Sequence, residues 1–148
     1  MVKPINIPVE ILHAAYAHAR ASYPDECCGW LSGPRNGDTV TGIRTCVNQV
    51  PSGVVYVMSD ADVAELAESI GSDFPARIIF HSHPNSSAFF SSIDIAVATG
   101  PFGDGPALPV QQLVVGLNGI HIKSSALFAW SDAAAAFVGV ARFDGAPL

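Results

Sequence analysis

Residues 77–94, RIIFHSHPNSSAFFSSID, constrain the fold more than any other stretch. The β-branched and aromatic run RIIF reads as a strand, and it passes without a break into two histidines one residue apart. A serine-rich turn follows. Ser91, with Asp94 three residues later, is the sequence mark of a capping box, so the spacing predicts a short helix over 92–99, stopped by Gly100. A strand, a polar turn and a helix in immediate succession fit a mixed α/β layer structure.

The rest of the chain supplies the other layers. Apolar residues at Val9, Leu12, Tyr16, Ala19 and Tyr23 lie at helical spacing between Pro8 and Pro24, which predicts a first helix over 8–23. CCGWLSG (27–33) and TVTGIRTCVNQV (39–50) read as a hairpin around the turn-rich GPRNGD. VVYVM (54–58) reads as a further strand, and Ser59 with Asp62 opens a second helix that Gly71 ends. GPFGDGPALP (100–109) is loop. VQQLVVGL and IHIKSSALFAW form a hairpin about Asn118-Gly119, and the alanine-rich SDAAAAFVGVARF (131–143) reads as a closing helix or helical turn. No repeat or linker interrupts this order, and 148 residues suffice for one stable domain, so a single domain is expected over 1–148.

Charge and cysteine usage exclude several function classes. The formal charge is −6, and the seven Lys and Arg are scattered, so no phosphate-neutralising patch for nucleic acid is expected. A protein or peptide substrate fits better. Three cysteines, two of them adjacent, do not make a disulfide framework, which points to a reducing cytoplasm. No segment approaches the roughly 18 apolar residues of a membrane span, and MVKPINIPVE has no apolar run of signal-peptide length, so no membrane association is expected.

In a strand, residues i and i+2 share a face, so His81 and His83 project side by side while Ser82 points away. Two imidazoles so placed can share a metal ion. Zinc accepts imidazole nitrogen and carboxylate oxygen, and catalytic sites keep three protein ligands. Asp94 is the natural third ligand, because the turn can carry the start of the next helix back over the strand end. A hydrolytic site also needs a base outside the metal shell, and Glu26, in YPDECCGWLSG, stands where it could lean over a neighbouring strand. Each feature has an innocent account: His-x-His pairs occur on strand surfaces, the cap needs no catalysis, and a lone glutamate is commonly solvated.

Taken together, these residues resemble the JAMM (MPN+) metalloprotease family. HSHPNSSAFFSSID is similar to that family's His-x-His-Pro followed by Ser-x-x-Asp, with ten residues between His83 and Asp94, and PDECCGWLSG to its upstream Glu-x-Cys-Gly segment. The resemblance implies an MPN-like fold with a central mixed, curved sheet flanked by helices. It implies that His81, His83 and Asp94 are zinc ligands, that Glu26 activates a water, and that Ser91 stabilises the oxyanion. Compact bacterial members imply a zinc peptidase or isopeptidase cutting at or beyond the Gly-Gly tail of a small ubiquitin-like sulfur carrier protein. Phe89 and Phe90 stand where family members often carry prolines.

Two other functions are compatible with the sequence: a non-catalytic MPN-type scaffold, and a cysteine-dependent hydrolase using Cys27 or Cys28 with a histidine. The usual mark of the scaffold is loss of metal ligands, and all of them are present here. Cys27 and Cys28 are expected to be buried thiols, His13, His18 and His121 surface residues, and Trp30 and Trp130 core or half-buried aromatics. Exposed sheet edges would allow pairing into a homodimer.

Overall fold

The computed structural model describes residues 2–146. Helix α1 (Val9–Ser22) is followed by strands β1 (Cys28–Ser32) and β2 (Gly42–Cys46), helix α2 (Asp60–Ile70), strand β3 (Ala76–Pro84) and helix α3 (Ser92–Ala98). Strands β4 (Gln111–Asn118), β5 (His121–Ser131) and β6 (Ala136–Ala146) complete the order. The strands form one sheet in the order β2-β1-β3-β4-β5-β6. Every neighbouring pair is antiparallel except β3 and β4, which run parallel. A parallel pair needs a crossover, and α3 with the Gly/Pro-rich loop provides it.

Helix α1 forms where its stripe predicts, burying Leu12, Ala15, Tyr16 and Ala19; Val9 faces water instead. Glu10 in the first turn and Arg20 in the last complement the helix dipole. The helix stops at Tyr23, whose extended backbone is what a following proline requires. The buried stripe packs on Leu31, Ile78, Phe80, Leu113 and Leu117. On the opposite face, Leu66 of α2 packs with Cys28, Trp30 and Ile79. Alternation along β3 therefore sends Ile78 and Phe80 to the α1 side, and Ile79, His81 and His83 to the other.

Four sequence expectations differ from the structure. Residues 54–58 are not a strand: the Asn48 side chain donates to the Val55 carbonyl (3.1 Å) and accepts from the Val57 amide (3.0 Å), occupying groups that a ladder would need. The alanine-rich tail is not helical. Alanine's helix propensity is a weak preference, and here Phe137, Val138 and Phe143 pair across to β5 while 132–135 form the turn, with Ala135 at φ +51°. The β4–β5 turn lies one residue later than expected: Asn118 pairs with His121, so the turn residues are Gly119, at φ +59°, and Ile120. His18, expected on the surface, is half-buried, donates to the Cys46 carbonyl (2.9 Å) and packs edge-on against Phe80. No helix among the described residues is long and apolar enough to cross a membrane.

Candidate metal centre and active site

The C-terminal end of β3 holds the cluster. His81 and His83 are both buried, and their Nε2 atoms lie 3.3 Å apart. Asp94 is brought to them by α3. Ser91 is the N-cap, accepting from the Asp94 amide at 3.1 Å, while the Asp94 carboxylate accepts from the Ser91 amide at 3.0 Å. This reciprocal cap aims the carboxylate at the strand end, with Oδ1 3.1 Å from His81 Nε2 and Oδ2 3.1 Å from His83 Nε2. The capping role and the site role are one geometry, so the innocent account of SSID and the functional one hold together.

Strand pairing sets Glu26 beside this cluster. Cys28 pairs with His81 across β1 and β3, and the Cys27 amide donates to Ser82 Oγ at 2.8 Å, which fixes the segment just before β1. The Glu26 amide donates to the Ser52 carbonyl (2.8 Å), and Asn48 donates to the Glu26 carbonyl (3.1 Å). Glu26 is 2% exposed, and its Oε1 has no hydrogen-bond partner among the described residues. Burial pushes the Glu26 pKa up to about 7, with the Asp94 charge adding to the rise and His83 opposing it.

The histidines differ in their surroundings. Burial lowers the His81 pKa, and His81 Nδ1 is buried without a partner. Burial alone would lower that of His83 too, but hydrogen bonds to Asp94 and to the Ser87 carbonyl hold it above the ordinary value. Burial would raise the Asp94 carboxyl, yet its hydrogen bonds with His81 and His83 outweigh this and keep it well below the usual carboxylate range.

His83 Nδ1 lies 3.0 Å from the Ser87 carbonyl and donates to it; in the neutral ring this leaves Nε2 as a lone pair facing the Asp94 oxygen, and in the protonated ring Nε2–H donates to that oxygen. Two acceptors at hydrogen-bond distance repel unless a proton or a cation lies between them. One ligand atom from each of His81, His83 and Asp94 falls within 4.8 Å of the others, a donor set of two imidazoles and one carboxylate that suits zinc. The Ser87 contact is the kind of second hydrogen bond that orients a metal-binding histidine.

A cleft of about 380 Å³ opens from Glu26, His81 and Asp94, and its walls include Met58, Leu66, Phe90, Ile93 and Leu108. Tyr56 also lines it, with its ring stacked on His81 at 5.1 Å. The sequence pattern singles out neither Tyr56 nor Asn48: VVYVM reads as a plain strand, and Tyr56 is the one polar-tipped residue in that apolar run. Cys27, Cys28 and Cys46 are buried and unpaired. Burial pushes the thiols of Cys27, Cys28 and Cys46 up to about 12, about 11 and about 12, the opposite of an activated nucleophile. His121 is exposed, Trp30 buried and Trp130 half-buried, as expected.

Comparison with known proteins places this geometry. The family model for prokaryotic homologs of the JAB domain matches residues 8–133, which takes in Glu26, both histidines, Ser91 and Asp94. The chain belongs to the prokaryotic JAB family. Among curated relatives, the CysO-cysteine peptidases of Mycobacterium tuberculosis and Mycobacterium bovis are 30% identical over 96 residues, covering 64% of this chain and 66% of theirs. The match thus spans just under two thirds of the length of those relatives. Solved structures share the JAB-type architecture at low identity. A protein of Desulfitobacterium hafniense aligns with TM-score 0.68 at 22% identity, over 90% of this chain and 88% of that one. A JAB1/MPN domain protein from Archaeoglobus fulgidus aligns with TM-score 0.50 at 20% identity, over 75% and 77%.

Proposed function

We propose that this protein is a zinc-dependent peptidase or isopeptidase. In this reading 1–148 act as one unit that hydrolyses an amide bond at or beyond the Gly-Gly C-terminus of a small ubiquitin-like sulfur carrier protein, in the cytoplasm. The observation that carries the reading is the buried convergence of His81, His83 and the Asp94 carboxylate, one ligand atom of each within 4.8 Å of the others, with the unpartnered Glu26 Oε1 beside them. Such a cluster is costly unless a cation neutralises it. The peptidase assignment draws on the family and on the relatives named as CysO-cysteine peptidases.

His81, His83 and Asp94 would hold the ion. When bound, zinc supplies Lewis-acid chemistry, acidifying a water and polarising an amide carbonyl. Glu26, with a pKa near neutrality, accepts the proton of the attacking water and hands it to the leaving nitrogen. Ser91 Oγ accepts from the Asp94 amide, so its own O–H is free to donate to the oxyanion of the tetrahedral intermediate. The cleft beside these groups is walled largely by apolar side chains, which suits an extended tail with small residues at the cut.

Elemental analysis of purified wild type beside the His81→Ala/His83→Ala double variant tests the site. About one zinc per chain in the first and none in the second is the expected result. Absence of zinc from wild type after loading with excess metal would remove the metallopeptidase reading. Gly-Gly-tailed carrier conjugates are the substrates to assay once the metal is established.

A further inference from the structure

Helix α3 carries Asp94 into the cluster, yet it is poorly anchored by its own side chains. Of its seven residues only Asp94 and Ala98 are buried, and Ile93, Ile95 and Val97 are exposed at 50%, 44% and 61%. The usual apolar brace for such a helix start runs from the residue before the N-cap to the fourth helical position, here Phe90 to Ile95. With Ile95 so exposed, that brace is not what holds the helix. The Phe90 ring instead stacks on Phe128 of β5 (5.1 Å between centroids, 20° between planes) and tilts against Phe137 of β6 at 5.1 Å. Phe137 in turn meets Trp130 edge-on at 5.4 Å.

The turn leading to Phe90 is fastened at several further points. Asn85, at φ +57°, accepts from the Gly119 amide at 3.0 Å. Gly116 of β4 lies so close beneath the turn that an added Cβ would stand 2.8 Å from the Ala88 nitrogen and 2.9 Å from the Ser86 oxygen. Phe89 packs edge-on against His83 at 5.0 Å. Fixing φ with proline is one way to hold such a turn. This chain uses aromatic contacts, one on a candidate ligand and one on the β5–β6 hairpin.

We infer that Phe90 is a positioning residue: anchored by Phe128 and Phe137, it fixes the Ser91–Asp94 cap over His81 and His83 and thereby sets how tightly the cluster holds a divalent metal. This rests on the metal-site reading above. Phe137 touches the ring of Phe90 and is not among the cap or cluster residues, so the β5–β6 hairpin becomes part of the site's support.

The test is competition titration of Zn²⁺ into the metal-stripped full chain against a chromophoric chelator, with the Co²⁺ absorption spectrum as a second readout of ligand geometry. Phe90→Ala is expected to lose about 10- to 100-fold in zinc affinity, the usual weight of a supporting contact around a metal ligand, and to shift the Co²⁺ bands. Phe90→Tyr, which keeps the ring, should restore both. Phe137→Ala should weaken zinc several-fold, and Phe102→Ala, at a side chain 88% exposed, should change nothing. If Phe90→Ala does not fold, Phe137→Ala carries the test. Wild-type zinc affinity and Co²⁺ spectrum in folded Phe90→Ala or Phe137→Ala overturn the inference alone. Wild type that takes up neither metal overturns the functional reading and this inference with it.

Discussion

The two faces of the sheet each bury a polar cluster, and the clusters differ in whether the protein satisfies them. On the α1 side, Tyr16 Oη lies 2.7 Å from Ser125 Oγ and donates to the Asp144 carbonyl at 3.0 Å. Ser125 can donate to Tyr16 and Tyr16 to the backbone, so every proton has an acceptor. On the other side, His83 Nε2 faces Asp94 Oδ2, and Glu26 Oε1 and His81 Nδ1 have no partner among the described residues. A closed network stabilises and needs nothing more; an open one carries a cost that something outside the chain must offset. Burial and polarity are common to both. Hydrogen-bond closure is what separates a structural cluster from a candidate site.

Substitutions can break this contrast. Glu26→Gln should lower turnover by roughly two to four orders of magnitude while zinc content stays at wild-type level. Full activity with a purified carrier conjugate would remove Glu26 from the mechanism. Ser91→Ala should cost about a hundredfold to a thousandfold in turnover, together with about 1 kcal/mol of stability from the lost cap. A stability loss with unchanged turnover would leave Ser91 a cap only. Tyr16→Phe, on the closed side, should cost about 1–3 kcal/mol by denaturant unfolding and leave zinc content untouched. A change in metal binding there would show that the two clusters are coupled through the sheet.

The smallest effect sharpens the contrast through pH. Burial pushes the Glu26 carboxyl up to about 7 in the folded protein from its ordinary 4.5, so the native state holds the proton longer than the unfolded chain does. Its contribution is therefore fully present below about 4.5 and is lost as pH rises through about 7. Metal-free Glu26→Gln should match wild type in Tm near pH 4 and exceed it near pH 8. Parallel Tm curves for the two proteins across that range would show that Glu26 is not the buried acid the structure describes.

The candidate site was legible in the sequence because its parts are local. His81 and His83 follow from strand alternation, and Asp94 from its place three residues after an N-cap. Glu26 is a weak candidate from its position alone and gains weight from the family resemblance, since the pairing of Cys28 with His81 that seats it spans more than fifty residues of chain. The failures share a cause. In 54–58 a side chain took over hydrogen bonds that the pattern assigned to a ladder, and in 136–146 pairing with β5 overrode alanine's preference for helix. Both depend on distant or side-chain partners that a local pattern does not contain.

Asn48 uses its whole amide. It donates to the Glu26 and Val55 carbonyls, each at 3.1 Å, and accepts from the amides of Val50 at 3.1 Å and Val57 at 3.0 Å. The Gln49 amide adds a bond to the Val57 carbonyl at 2.8 Å. Both ends of the short excursion between them are thus tied at one point, next to Glu26. Loop closure becomes only slowly more costly with length, so extra residues grafted at the exposed tip of Gly53 and Val54, between the Ser52 carbonyl that holds the Glu26 amide and Tyr56, would extend the rim of the cleft while leaving those contacts in place. In engineering terms the excursion is a socket, where new contacts to a bound molecule could be installed while the candidate site stays in place.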